Sequence, residues 1–314
     1  MATRGALDGK LVVLIGGTGF FGTHVVQALL AQGARLRVAS RHPEKAFRLK
    51  PLGNLGQIQI VPCDVAKPAT VQAAMAGADA AVYLVGAFKG NLKTVHVDGA
   101  GAAAAAAQAA GAQAFVHISA IGADANSDAG YARTKAEGEQ AVLAAFPKAT
   151  VLRPSVLFGE DDNFVNMFAG LIAGLPVIPI FGANAPLQPL WVDDAAEAVA
   201  NALADPAAHG GKIYEIAGPE PLTMGAINRM IAAGECRKRA FVELPDFASA
   251  VFAALPGTPM NGDQWKLLKA GSVPSGKYPG VKAFGIAPKP LELFLDRWLV
   301  RFRKHGRFGQ RARA

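Results

Sequence analysis

A chain of 314 residues in which 51% are hydrophobic can bury a sizeable core, which excludes intrinsic disorder and predicts one large domain with a smaller appendage. The net charge of +8 is unevenly spread: residues 1–236 hold 17 Lys and Arg against 19 Asp and Glu, whereas residues 237–314 hold 15 against 5. That asymmetry predicts contact between the last quarter and an anionic surface. The two cysteines, Cys63 and Cys236, lack a metal-type spacing, so no metal site is expected, and Cys63 reads as a buried structural thiol.

The first residues run into the apolar segment Leu11 to Ile15 without a signal-peptide core, and no unbroken apolar run reaches the length of a membrane-spanning helix. A soluble protein of a reducing compartment, most simply a bacterial cytoplasm, is expected. Short β-rich runs near 11–15, 35–39, 58–61, 80–85, 113–118 and 149–153 alternate with amphipathic stretches, the rhythm of an α/β, Rossmann-type doubly wound parallel sheet. The Ala-rich stretch from Ala100 to Ala110 reads as a buried crossover helix, because Ala has the best helix propensity and lets helix and sheet approach closely. After Arg153-Pro154 come Gly/Pro punctuation from Gly174 to Pro189, a helix near 193–204, a strand near 212–216 and a helix near 223–234. Residues 256–290 read as an irregular excursion, and a last helix is expected from Leu291 to Lys304. The expected organisation is a nucleotide-binding domain over 8–155, a smaller substrate-side lobe over 156–290 interleaved with it, and a basic C-terminal helix and tail over 291–314.

Strand, glycine turn and helix follow one another from Leu11 through Gly16-Gly-Thr18-Gly19-Phe20-Phe21-Gly22 into Thr23 to Ala31. Gly16 permits the tight turn, Gly19 lets the backbone approach a pyrophosphate, and Gly22 lets helix meet strand, while the helix N-terminus offers free N–H groups. The second strand ends at Ser40-Arg41, where a site for NAD(H) would place a carboxylate against the ribose 2′-hydroxyl. Arg41 can instead pair with a 2′-phosphate, so the expected cofactor is NADP(H). Asp64-Val65 is expected at the adenine edge, although Asp64 reads equally as a turn or cap residue, and Val85-Gly86 is expected beneath the ribose.

Ser119 ends the fifth strand, and Tyr131 and Lys135 share one helix face at i, i+4. An ammonium lowers a phenol's pKa and can hold the nicotinamide ribose, so the three are candidate catalytic residues, with Tyr131 and Lys135 also touching the nucleotide. Asp193 and Asp194 read as helix caps or ligand contacts with equal weight.

Gly16-x-x-Gly19-x-x-Gly22, Ser119, Tyr131-x-x-x-Lys135, Arg153-Pro154-Ser155 and Trp191-Val192-Asp193-Asp194 together resemble the extended and atypical short-chain dehydrogenases over residues 8–235. The resemblance adds Pro154 to the nucleotide contacts. Within that superfamily, Val38-Ala-Ser-Arg41, Val85-Gly-Ala-Phe88, His117-Ile-Ser-Ala-Ile-Gly-Ala-Asp124 and Leu152-Arg-Pro-Ser-Val-Leu-Phe-Gly159 look most like the dehydrogenase-like accessory subunits of respiratory complex I, NADH:ubiquinone oxidoreductase, in their bacterial form. This implies an NADP(H) held structurally, peripheral-arm subunits as partners, and a place at the cytoplasmic face of the bacterial inner membrane. His96-Val97-Asp98-Gly99-Ala100 departs from the Asn-Val-x-Gly-Thr of sugar-nucleotide epimerases, which argues against that chemistry. The complete Ser119, Tyr131 and Lys135 set keeps a soluble NADPH-dependent reductase as an alternative, and an NADP(H) redox-sensing module is a further one.

In the last segment Leu291, Phe294, Leu295, Trp298 and Phe302 recur at helical spacing, with Arg297, Arg301, Arg303 and Lys304 on other faces. Two readings stand with equal weight: an interfacial helix on anionic lipid or in a partner's groove, and a helix packed on its own domain. No nucleic acid is expected, because no reading motif is present.

Overall fold

The computed structural model describes residues 5–247, 249 and 261–308, which form two compact units. The first comprises residues up to Pro154, Val192–Ile216 and Ser275–Ala287. Its sheet contains β1 (Leu11–Ile15), β2 (Arg35–Ser40), β3 (Ile58–Pro62), β4 (Ala80–Tyr83), β5 (Ala114–Ile118), β6 (Thr150–Pro154) and the strand Ile213–Ile216. All seven run parallel, and β1 lies between β2 and β4, with β3 outside β2 and β5, β6 and Ile213–Ile216 continuing the other way. The winding therefore reverses at β1, and ligands of such sheets bind at that reversal, beyond the C-terminal strand ends. Val12, Val13 and Leu14 are fully buried, as expected for a strand covered on both faces.

The crossovers are α1 (Phe20–Ala31), α2 (Pro68–Met75), α3 (Gly99–Ala109) and α4 (Gly130–Ala145). The Ala-rich stretch is α3, with Ala100, Ala103, Ala104 and Ala107 wholly buried, and a Cβ at Gly101 would already touch Ala141 of α4 at 3.3 Å. A π-helical turn, Thr94–Asp98, precedes α3 and carries His96. A Cβ at Gly138 of α4 would lie 2.1 Å from the His96 carbonyl oxygen, so only glycine lets helix and turn meet. Cys63 is buried and unbridged.

Two returning segments, Val192–Ile216 and Ser275–Ala287, complete this unit. Arg153 of β6 forms a bidentate pair with Glu139 of α4 at 2.7 and 2.8 Å, lies 3.6 Å from Glu215, and stacks over Tyr278. Glu215 in turn accepts from the N–H and Oγ of Ser275. A central guanidinium thus neutralises two buried carboxylates, and that requirement draws residues 275–287 onto the sheet edge.

The second unit comprises residues 155–191, 217–274 and 288–314 as far as they are described. It holds α5 (Phe164–Gly174), a parallel pair of strands, Val177–Phe181 and Ala240–Leu244, the helix Met224–Gly234, and the helix Glu292–Trp298 running into a 3₁₀ turn, Leu299–Phe302. The Gly/Pro punctuation of 174–189 hides the first of these strands. Part of the expected excursion over 256–290 lies outside the described residues; beyond it stand the helix Gly262–Ala270, held by a capping box from Asn261 to Gln264, and the 3₁₀ turn Val281–Phe284. The last helix is shorter than expected, and its apolar stripe points inward: Leu291, Leu295 and Leu299 are buried with Phe158, Ile172, Ile227 and Ile231, and Phe294, Trp298 and Phe302 pack on the same cluster. These apolar residues of the last helix thus pack on the cluster of their own unit.

Removing the guanidinium in Arg153→Met leaves two buried carboxylates unpaired and is expected to destabilise the first unit by about 3–5 kcal/mol, read from the urea midpoint of its unfolding.

Candidate nucleotide-binding site

At the end of β1, Gly16 turns the chain with φ +89°, a left-handed conformation that favours glycine. A Cβ there would also lie 2.9 Å from the Val85 side chain, so the fourth strand's end abuts the turn. Gly22 is buried, and a Cβ would lie 2.6 Å from the Gly17 carbonyl carbon, which seats the first turn of α1 on the loop. Gly19 differs: the nearest atom a Cβ would meet is 3.9 Å away, leaving open space directly over the helix start. No side chain caps α1 and no acid stands in its first turn, which Phe20 and Phe21 open. Uncapped N–H groups, a positive helix end and space beside a glycine fit a pyrophosphate.

Toward the adenosine side, Ser40 ends β2 and its Oγ accepts from the His42 N–H at 3.2 Å, while Arg41 extends into solvent. A second guanidinium stands on the glycine loop itself. Arg48, on the 3₁₀ segment Pro43–Leu52, donates to the Thr18 carbonyl at 2.9 Å and to Thr23 Oγ1 at 3.1 Å. The sequence reading missed Arg48, because a 3₁₀ run with an internal proline carries no α-helical periodicity. Asp64 Oδ1 accepts from the Ala66 N–H at 3.1 Å, so this carboxylate serves the turn, and Val65 packs where a Cβ at Gly99 would meet it at 2.9 Å.

On the opposite side, Lys135 is buried and donates to the Ile118 carbonyl at 2.9 Å, immediately before Ser119. Burial pushes its pKa down to about 8, although Glu139 opposes the shift. Its Nζ lies 5.8 Å from the Tyr131 ring centre and 3.6 Å from where a Gly86 Cβ would stand, so the expected Gly86, Tyr131 and Lys135 converge. Burial pushes the Tyr131 phenol up to about 12, keeping it protonated at neutral pH. Ser119 is buried with no hydrogen-bond partner for its Oγ among the described residues. A buried hydroxyl left unpaired beside a buried ammonium fits a polar ligand atom. Pro154 ends β6, and its carbonyl accepts from the Ile121 N–H at 3.1 Å. Asp193 pairs with His24 of α1, and Asp194 is fully buried in the first turn of the helix Val192–Ala204.

Two further residues shape this side. Phe88 stacks on Tyr131 at 4.4 Å and 17°. His96, noticed in the sequence only as a departure from another pattern, accepts at Nε2 from the Ala87 N–H at 3.0 Å. Its proton therefore sits on Nδ1 and is donated to Thr134 Oγ1 at 2.9 Å, and that hydroxyl donates to the Gly130 carbonyl. The imidazole also stands edge-on to Tyr131. One neutral ring thus ties the loop after β4 to the helix bearing Tyr131 and Lys135. Burial, with Lys135 nearby, lowers its pKa to about 4.

Residues 16–167 match the family described as NAD(P)H-binding. The chain is homologous to subunit 9 of the alpha subcomplex of mitochondrial NADH dehydrogenase (ubiquinone): 28% identical over 324 residues to the Arabidopsis thaliana protein, covering 96% of this chain and 80% of that one. The Dictyostelium discoideum counterpart is 30% identical over 235 residues, and this chain spans 66% of it, just under two thirds. A ceramide reductase of Caulobacter vibrioides is 35% identical over 196 residues, covering 61% of this chain and 60% of that protein. Among solved structures, an NADPH-dependent quinone oxidoreductase of Escherichia coli complexed with NADPH shares the fold with a TM-score of 0.74 at 20% identity, covering 90% of this chain and 98% of that one.

Two measurements probe this geometry. Arg41→Ala and Arg48→Ala should each weaken NADPH binding at least about tenfold while changing NADH binding little, since a charge-assisted hydrogen bond contributes about 1.5–3 kcal/mol; equal losses for both nucleotides, by calorimetry, would contradict a 2′-phosphate role. For His96 the folded pKa lies below the unfolded value, so the unfolded chain takes up the proton first and stability is lost as pH falls from about 6.5 toward 4. In His96→Gln the urea midpoint should fall less between pH 7 and 4.5 than in the parent, by an equivalent of about 2–3 kcal/mol.

Proposed function

We propose that the chain is an NADP(H)-holding accessory subunit of NADH:ubiquinone oxidoreductase, docked among the peripheral-arm subunits at the cytoplasmic face of the bacterial inner membrane. The observation that carries this reading is the homology to subunit 9 over 96% of the chain; the glycine turn after β1 with Arg48 bonded to it, and the buried Lys135 at the end of β5, support it. In this role the nucleotide braces the first unit: uncapped N–H groups of α1 meet its pyrophosphate, Arg41 and Arg48 meet its 2′-phosphate, and Lys135 meets the ribose beside the nicotinamide. Ligand held a hundredfold above its dissociation constant would stabilise that fold by about 2.7 kcal/mol. No step of turnover is required.

A second reading is favoured by the unpaired Ser119 Oγ, one residue past the carbonyl to which Lys135 donates, and by the ceramide reductase relative. Here the chain is an NADPH-dependent reductase of a carbonyl on a long-chain lipid amide. The reduced nucleotide supplies a hydride when bound. Ser119 Oγ donates to the carbonyl oxygen, Tyr131 holds the proton that the oxygen takes up, and Lys135 favours the resulting phenolate electrostatically. Phe88 shields the phenol from water.

Native electrophoresis of detergent-solubilised membranes from the source organism separates the two. Co-migration of the chain with NADH:ubiquinone oxidoreductase activity is the outcome expected of a subunit, and a free low-mass band would refute it. The reductase reading expects NADPH oxidation with a keto-ceramide that falls at least about a hundredfold in Tyr131→Phe while NADPH binding survives; a parent protein that binds NADPH but leaves such a ketone untouched would end it.

A further inference from the structure

No Asp, Glu, Lys or Arg occurs between Asp162 and Asp193. That stretch contains α5 and the strand after it. A helix on the surface of a soluble protein ordinarily carries charge on its outer side, yet the outward positions of α5 are Met167, Gly170, Leu171 and Gly174, followed by the exposed turn Leu175-Pro176-Val177. Met167, Leu171, Leu175 and Val177 are each 39–48% exposed, and Val242 at 47% lies on the neighbouring strand, two residues past the partner of Val177. A contiguous exposed apolar face of this kind marks a contact surface.

The charges around it are graded along the helix. At the C-terminal end, Arg239 donates to the Ile172 and Ala173 carbonyls and Lys238 is exposed beside it, where the Ala240 N–H meets the Pro176 carbonyl. At the N-terminal end, Glu160 and Asp161 are exposed, and Arg301 bonds to the Glu160 carbonyl and Asn166. The apolar turn therefore sits at the cationic end and the acids at the far end.

We infer that the second unit meets an anionic bilayer surface through the C-terminal end of α5, with Leu175 and Val177 in the headgroup boundary, Lys238 against lipid phosphates while Arg239 holds the helix end beneath it, and the acidic end raised toward water. An anionic membrane is the occupant that suits an apolar tip with basic neighbours, and this contact is independent of which activity the first unit has.

Full-length protein should co-float with vesicles of phosphatidylglycerol and phosphatidylcholine, and far less with phosphatidylcholine alone. Lys238→Glu should weaken that partition at least about fivefold, which corresponds to the roughly 1 kcal/mol assigned to one basic residue near such a surface. Leu175→Glu should weaken it at least about tenfold, both variants keeping parental NADPH affinity as the control on folding. A fluorophore at Leu175→Cys should be quenched by spin-labelled lipid, and one at Asp161→Cys should not. Equal flotation with neutral vesicles, unchanged binding of Leu175→Glu, or quenching only at position 161 would each overturn the inference; absence of any vesicle binding by the NADPH-competent parent would overturn it in favour of a protein covering this face.

Discussion

Backbone must approach backbone where β1 hands over to α1, and everything on the nucleotide side depends on that closeness. Gly16 takes a conformation that side chains avoid, with Val85 filling the space behind it, and Gly22 rests α1 on the loop with no room for a methyl group. These contacts fix where the uncapped N–H groups point. They also bring the ends of β1 and β4 side by side, so the phosphate cradle and the polar side chains beyond Gly86 share one frame. Gly19 alone keeps its glycine for the sake of space. Two of the three positions are thus demanded by the fold, whereas the third leaves open space above the helix start.

The interior behind this cradle holds an unusual density of ionisable groups. Lys135, Glu139, His96 and His117 are all buried, and both ring nitrogens of His117 lack hydrogen-bond partners among the described residues. Burying a charge is costly unless it is paired. The two imidazoles meet this by staying neutral: desolvation and the nearby ammonium of Lys135 both push their pKa down. Lys135 keeps a proton only marginally, near pH 8, with a carbonyl and the more distant Glu139 to support it. A group so poised responds to any anion placed beside it. A phosphate or phenolate nearby would raise its pKa and hold the proton.

Much of this was legible in the sequence, for identifiable reasons. The six predicted strands match β1 to β6 within a residue or two: β1, β4 and β5 are largely apolar and almost wholly buried, whereas β2 and β3 alternate apolar with polar residues. The Ala-rich α3 was readable because composition and propensity agree. What could not be read depends on partners distant in the chain. Arg48 contributes through contacts with Thr18 and Thr23, some 30 and 25 residues away; His96 acts through Ala87 and Thr134 on two other elements. The return of residues 275–287 follows from Glu215 and Arg153, whose buried pairing leaves no local pattern. The strands Val177–Phe181 and Ala240–Leu244 escaped because each has one strand neighbour among the described residues and sits among prolines and exposed residues, without a clear polar–apolar alternation in sequence.

The basic excess of the last quarter shows why a count of charges is a weak guide to where they act. Arg237 donates to the Phe302 carbonyl, Arg303 to the Gly234 carbonyl, Arg239 to the end of α5, and Lys269 pairs with Asp246. Three of these arginines therefore satisfy helix-end carbonyls that would otherwise lack donors. The last helix spends its apolar stripe on the core of the second unit for the same structural reason: a helix of seven residues is unstable without tertiary packing. What the charge count missed is the complementary signal, a long uncharged stretch whose helix still faces outward. Charge and its absence carry different information. The first is often absorbed internally, whereas an exposed apolar helix face keeps an unmet solvation cost until something covers it.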